Sequence, residues 1–179
     1  MRTVAFHTIG CKLNQHETND IERQFAVRGW RPIAFGETAD VVVVNTCTVT
    51  AQSDSRCRAA LRKARRESPG ATVIATGCLA QARPVAIAGM PEVDLVLGNR
   101  EKEQIFDHLD DDGQPRTERV AVAALDAATR PAFTPVTAFA GHTRAFVKIQ
   151  DGCDAGCAYC IVPLARGPNR SLAAADVLA

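Results

Sequence analysis

The sequence predicts an α/β fold, a parallel sheet with helices on its faces, from three observations. Short apolar runs rich in β-branched residues alternate with longer stretches of helical period over roughly the first hundred residues. One run, VVVV at 41–44, is apolar on both faces, as a central parallel strand covered by helices must be. Helix breakers fall between these segments: Pro69 and Gly70 end one helical stretch, and Pro91 interrupts the approach to the last strand.

Taken in order, the elements begin with a strand at Thr3–Thr8, where TVAFHT combines β-branched and aromatic residues. A helix follows over Gln15–Arg28, then a short strand at Pro32–Phe35 and the buried strand at Val41–Asn45. The second helix runs from Ser53 to Arg66. TVIAT at Thr72–Thr76 is the next strand, with a short helix after Leu79. LVL at Leu95–Leu97 and a helix over Arg100–His108 close the series. Strands alternating with helices in this way define a flavodoxin- or Rossmann-like sheet. Residues 1–110 are expected to form this domain. The pattern weakens over 111–142, where DDDGQPR, Pro131 and Pro135 mark a linker. Thr143–Gln150 reads as a new strand alternating around Ala145, Val147 and Ile149, and residues 143–179 open a second unit.

At 179 residues the chain holds one ordinary domain and the start of another. Hydrophobic residues at 46% against 23% charged exclude a chain disordered throughout. A net charge of +1, from 21 basic and 20 acidic residues, lacks the excess of a self-sufficient nucleic-acid binder, so any grip on RNA must come largely from elsewhere. MRTVAFHTIG lacks the apolar segment of a signal peptide, and no apolar run is long enough to span a bilayer. A cytoplasmic protein without membrane attachment is expected. Seven cysteines, an odd number, favour thiolate ligation of metal over a disulfide scaffold in that compartment.

Three of these cysteines follow strands: Cys11 after the first, Cys47 after VVVVNT, and Cys78 after TVIATG. Strands of a parallel sheet point one way, so residues just past their ends converge on one edge, where ligands bind. Gly10 and Gly77 precede two of the three and suit tight turns there. Three thiolates without a fourth protein ligand fit a [4Fe–4S] cluster with one exchangeable iron better than a closed zinc site. The competing reading makes each a small buried hydrophobe. Cys57 lies within a helix and is read as an ordinary helix-face residue. His7 and His16 are read as structural or solvated.

The other three cysteines sit in DGCDAGCAYCIVP, with Cys153, Cys157 and Cys160 spaced by four and three. So compact a loop can take three corners of one cubane, leaving an iron for S-adenosylmethionine to chelate. An electron from the cluster then cleaves the sulfonium to a 5′-deoxyadenosyl radical. Tyr159 offers an aromatic face to the bound nucleoside. A zinc knuckle lacks a fourth ligand here, since no Cys or His follows Cys160.

Taken together, GCKLNQHE from Gly10, ADVVVVNTCTVT from Ala39, ATGCLAQ from Ala75 and the run from Val147 through DGCDAGCAYCIVPLARGPNRS resemble the radical S-adenosylmethionine methylthiotransferases. GCKLN is most similar to the branch acting on N6-threonylcarbamoyladenosine beside the tRNA anticodon. The resemblance implies two [4Fe–4S] clusters, an auxiliary one on Cys11, Cys47 and Cys78 that handles the inserted sulfur, and a radical-generating one on Cys153, Cys157 and Cys160. It implies methylthiolation at C2 of the adenine, a second S-adenosylmethionine as methyl donor, and tRNA and an electron-donor protein as partners. Residues 143–179 are then the beginning of a partial β/α barrel. Because ARGPNRS matches the family, Arg166 and Arg170 are expected at the cofactor or substrate, Arg166 together with Tyr159 at the cofactor. The helix bearing Arg56, Arg58, Arg62, Lys63, Arg65 and Arg66 has two readings, a phosphate-binding face or a solvated one.

Family members continue through the barrel and an RNA-binding β domain, so this chain alone is expected to be incompetent in catalysis. The alternatives are a non-catalytic iron–sulfur carrier module or remnant, a methylthiotransferase for isopentenyladenosine tRNA or ribosomal protein S12, and a metal-free α/β domain with structural cysteines.

Overall fold

A computed structural model describes residues 1–116, 118–126 and 146–178 of the chain. Its centre is a six-stranded, wholly parallel sheet in the order β2-β1-β3-β4-β5-β6. The strands are β1 (Thr3–Thr8), β2 (Arg31–Ile33), β3 (Val41–Thr46), β4 (Thr72–Gly77), β5 (Leu95–Leu97) and β6 (Val120–Ala121). The first five have the flavodoxin order 2-1-3-4-5, in which the chain reverses its direction of travel across the sheet between β1 and β3.

Period-two burial on both sides of β3 explains the layers. Val42 and Val44 face a cluster with Cys57 and Leu61 of α2 (Ala51–Glu67), Leu79 of α3 (Cys78–Ala82) and Ile87 of α4 (Pro84–Ala88). Val41 and Val43 face the opposite cluster, with Ile21 and Phe25 of α1 (Lys12–Val27) and Ile105 of a 3₁₀ helix over Glu101–Asp107. Phe25 is fully buried between Trp30 and Phe106, at ring-centroid distances of 5.3 and 4.7 Å. The start of α2 is set by Thr50, whose hydroxyl accepts from the Ser53 amide at 3.0 Å.

The five strands expected in the first domain lie within two residues of where the pattern put them, with β1 and β5 at their expected bounds. Part of the expected linker instead joins the sheet: β6 pairs with β5 in the register Val96↔Val120. The remainder of that linker, 127–142 with residue 117, lies outside the described residues, as do 143–145 of the strand expected over Thr143–Gln150. Residues 146–149 carry no strand, and β7 begins only at Gln150.

The expected start of a barrel is not seen among the described residues. β7 (Gln150–Asp151) pairs antiparallel with β8 (Arg170–Ser171), followed by α6 (Ala174–Leu178), and α5 (Val162–Arg166) packs against α3 of the first sheet. A barrel strand extends by pairing with parallel neighbours, and here the pairing partner is the antiparallel β8.

Candidate metal centre

The carboxyl edge of the sheet gathers the first three cysteines by register. Thr46 pairs with Gly77, so Cys47 and Cys78 leave adjacent strands at the same level. β1 ends at Thr8 opposite Asn45, and the Ile9 amide continues the ladder to the Asn45 carbonyl at 2.9 Å before the chain turns at Gly10 into Cys11, the N-cap of α1. Cys11 and Cys47 thus flank the switch point of the sheet, where open α/β sheets bind ligands.

Gly10 and Gly77 make this approach possible. Both have positive φ, +123° and +93°. A Cβ on Gly10 would lie 2.9 Å from Cys47 Cβ and 3.2 Å from its sulfur, so the turn before Cys11 packs directly on Cys47. A Cβ on Gly77 would run into Asn45 Oδ1 and the Thr46 backbone.

Cys11 is exposed, Cys47 and Cys78 are buried, and all seven cysteines are free thiols. Among the described residues no three His, Cys, Asp or Glu side chains are gathered as a single metal ion needs. A four-iron cluster spreads its ligands over the corners of a cube, so three thiols along one sheet edge suit it better than a lone ion.

Asn14, fully buried in the first turn of α1, ties this edge together. Its Nδ2 donates to the carbonyls of Ile9 at 2.8 Å and Thr46 at 3.0 Å. Its Oδ1 accepts from Cys11 Sγ at 3.6 Å and from Arg166 Nη2 at 2.8 Å.

Arg166 belongs to a buried ionic network absent from the sequence expectations. It donates to Glu17 at 2.8 and 3.0 Å and to Asp151 at 3.0 Å, and its charge acts on the Cys78 thiol. Lys102 is 2.6 Å from Glu17 and from Asn99 Oδ1. Lys148 meets Asp151 at 3.0 Å and Glu17 at 3.4 Å, and Arg170 lies 3.9 Å from Asp151. Among the described residues four buried cations therefore face two buried carboxylates, with the half-buried Glu103 acting on Lys148 at the edge. Burial opposes the Glu17 charge, but Lys102, Arg166 and Lys148 outweigh it and hold the carboxyl well below its ordinary range. Burial likewise pushes the Cys78 thiol up, against the pull of Arg166 and Lys102. A buried positive surplus beside Cys78 fits an anionic group such as a thiolate-bound iron–sulfur cluster.

The second triad lies in the loop after β7. Cys153 and Cys160 are half-buried and Cys157 is exposed. The Cys153 amide donates to Gly167 O at 3.2 Å, the Cys160 amide to Cys157 O at 2.9 Å, and Asp154 accepts from the Asn169 amide at 2.9 Å. Tyr159 stands exposed beside them. Arg166, expected at the cofactor, is turned into the protein with its side chain 6% exposed. Arg170 donates to the Arg166 carbonyl at 2.7 Å.

His7 stacks on Phe35 at 4.2 Å, and burial lowers its pKa, as it does for His16. The basic helix is divided in its uses. Arg65 is consumed by the carbonyls of Pro69 and Ala71 and by Asp94 at 2.5 Å, while Arg56 and Arg62 are exposed. No helix among the described residues is long and apolar enough to cross a membrane.

A flavodoxin-ordered sheet with three cysteines following its strands at the carboxyl edge, and a second cysteine triad in the loop after β7, defines an α/β protein with two cysteine triads. Residues 3–98 match the family described as Uncharacterized protein family UPF0004, and the chain belongs to that family. Its relatives bear out the resemblance to methylthiotransferases. The chain is 42% identical over 171 residues to the threonylcarbamoyladenosine tRNA methylthiotransferase MtaB of Bacillus subtilis, covering 96% of this chain and 38% of the relative. It is 40% identical to MtaB of Aquifex aeolicus, covering 94% and 41%. The ribosomal protein uS12 methylthiotransferase RimO of Roseiflexus is 33% identical, covering 98% and 42%. The chain spans about two fifths of the length of these relatives.

Proposed function

We propose that this protein is a radical S-adenosylmethionine methylthiotransferase that modifies N6-threonylcarbamoyladenosine in tRNA. The observation that carries the reading is the convergence of Cys11, Cys47 and Cys78 on the switch-point edge, beside a buried cationic network reaching the loop of Cys153, Cys157 and Cys160. The tRNA branch is favoured by identities of 42 and 40% to the MtaB relatives, against 33% to RimO.

In this reading the first triad holds an auxiliary [4Fe–4S] cluster and the second a radical-generating one. When bound, these clusters and S-adenosylmethionine supply the electron, the radical and the sulfur and methyl groups of the reaction. The chain's own residues do the positioning. Gly10 and Gly77 let the backbone close on the thiols, Asn14 fixes the turns around Cys11 and Cys47, and the Gly167 carbonyl fixes the amide of Cys153. Tyr159, exposed within the second loop, offers a ring to the bound nucleoside. A domain spanning 1–110 with the first triad, followed by a connection and a unit carrying the second, is the organisation this reading implies.

Anaerobic reconstitution with iron and sulfide tests it, with iron counting and absorption spectra on wild type, Cys11→Ala and Cys153→Ala. Two clusters are expected in wild type and one in each variant. A colourless, iron-free wild type refutes the reading and leaves a metal-free α/β domain.

A further inference from the structure

The buried guanidinium of Arg166 is tied to Glu17, Asp151 and Asn14 beside the first triad. It shares the Asn14 Oδ1 acceptor with Cys11 Sγ, at 2.8 and 3.6 Å. Through Asn14 Nδ2 it is one residue removed from the Thr46 carbonyl, which precedes Cys47. Its charge also acts on the Cys78 thiol. One cation therefore reaches the surroundings of all three thiols of the first triad.

We propose that Arg166 is a positioning residue that raises the electron affinity of the iron–sulfur cluster at the first triad, and does so only when the loop of the second triad is docked. The inference rests on the two-cluster reading above and adds to it a link between the sites. Reduction adds negative charge to a cluster, and its potential follows the net charge around it and the hydrogen bonds to its sulfurs. Arginine stays protonated at every accessible pH, so its charge is a fixed contribution rather than a switch. Glu17 and Asp151 hold the guanidinium from two sides.

Docking alone does not account for this arrangement. A buried ion pair is weak evidence for stability, and a charge-balanced set would hold α5 against α3 equally well. Among the described residues the network instead sets four buried cations against two buried carboxylates, and two of those cations, Arg166 and Lys102, act on Cys78. The cation also comes from the far segment: Arg166 follows Cys160 in the same stretch of chain, and the Gly167 carbonyl beside it binds the Cys153 amide. Undocking the second loop withdraws the charge from the first site.

The test uses the chain with Cys153, Cys157 and Cys160 all changed to Ala, so that reconstitution leaves the first-triad cluster alone. Its midpoint potential is read by electron paramagnetic resonance during a redox titration at fixed pH, with iron content measured in parallel. Arg166→Gln, which keeps polar contacts and loses the charge, is expected to lower the midpoint, and Arg166→Lys to restore most of it. Glu17→Gln, which removes an anion near Cys78, is expected to raise it. A purely structural role predicts no such opposition of sign. The proposal is overturned if Arg166→Gln retains its cluster at an unchanged midpoint, or if the Gln variants at positions 17 and 166 shift in the same direction. Should Arg166→Gln fail to bind iron, the Glu17→Gln midpoint decides: a rise supports the proposal, and no change or a fall overturns it. A parent chain that takes up no iron overturns the cluster reading itself, and this inference with it, and is distinguished by its iron count.

Discussion

Cys57 Sγ donates to the Cys47 carbonyl at 3.3 Å and accepts from the Cys47 amide at the same distance. The one cysteine outside both triads thus clamps the backbone of a candidate ligand from within α2. Cys57→Ala leaves both groups without this partner in a buried site, at a cost of about 1–3 kcal/mol. Melting curves should show that loss, and reconstituted iron should fall at the first triad alone. Cys57→Ser, which keeps a donor and acceptor, should lose less of both.

The Cys57 thiol is fully buried, and burial pushes its pKa up to about 11. At pH 8 only about one thiol in a thousand is ionised, and the thiolate is the nucleophile. In cluster-free folded protein Cys57 should resist iodoacetamide while the exposed Cys11 and Cys157 are alkylated. Peptide mass mapping before and after unfolding checks this, and early modification of Cys57 would contradict its burial.

Gly77→Ala combines a left-handed backbone with contact against Thr46 O at 2.5 Å. A destabilisation of about 2–4 kcal/mol is expected by chemical denaturation, with loss of iron binding at Cys78. Gly70, around which a Cβ meets nothing, is the control, and Gly70→Ala should stay near wild type.

Glu17 gives a pH signature. Its folded carboxyl lies well below the ordinary value of 4.5, so as pH falls the unfolded chain takes up the proton first. The stability it supplies is present above about pH 4.5 and is lost progressively as pH falls through the lowered folded value. Glu17→Gln should cost about 2–3 kcal/mol at pH 7 and flatten the acid limb of the stability curve. Equal acid sensitivity in the two proteins would remove Glu17 as its source.

Phe25 fills the core face that carries no cysteine, between Trp30 and Phe106. Phe25→Ala should cost about 3–5 kcal/mol in global stability. Because Phe25 lies at the opposite end of α1 from Cys11, protein that remains folded should bind iron normally.

The sheet was legible because β3 and β4 are buried on both faces and say so in VVVV and TVIAT. The cysteines were legible for the same reason, since a parallel sheet turns position after a strand into position in space. β6 was hidden in two residues, Val120 and Ala121, whose pairing depends on a neighbour and not on any local pattern. The tie between Arg166 and Glu17 was not legible, because the two lie 149 residues apart, beyond the reach of any local signal. Lys102 left a trace that was missed: it occupies the apolar stripe with Ile105, Phe106 and Leu109, at spacings of three, four and seven. A charge on that stripe with 2% of its side chain exposed demands a buried counter-ion, and Glu17 supplies it.

The same separation of 149 residues between Glu17 and Arg166 orders the assembly of the molecule. Closing so long a stretch of chain is entropically costly and gains nothing until α1 already stands on the sheet. The segment bearing Cys153, Cys157 and Cys160 therefore seats itself after the sheet, on a surface the earlier elements have finished, and each nascent chain completes its first thiol edge before its second is held in register.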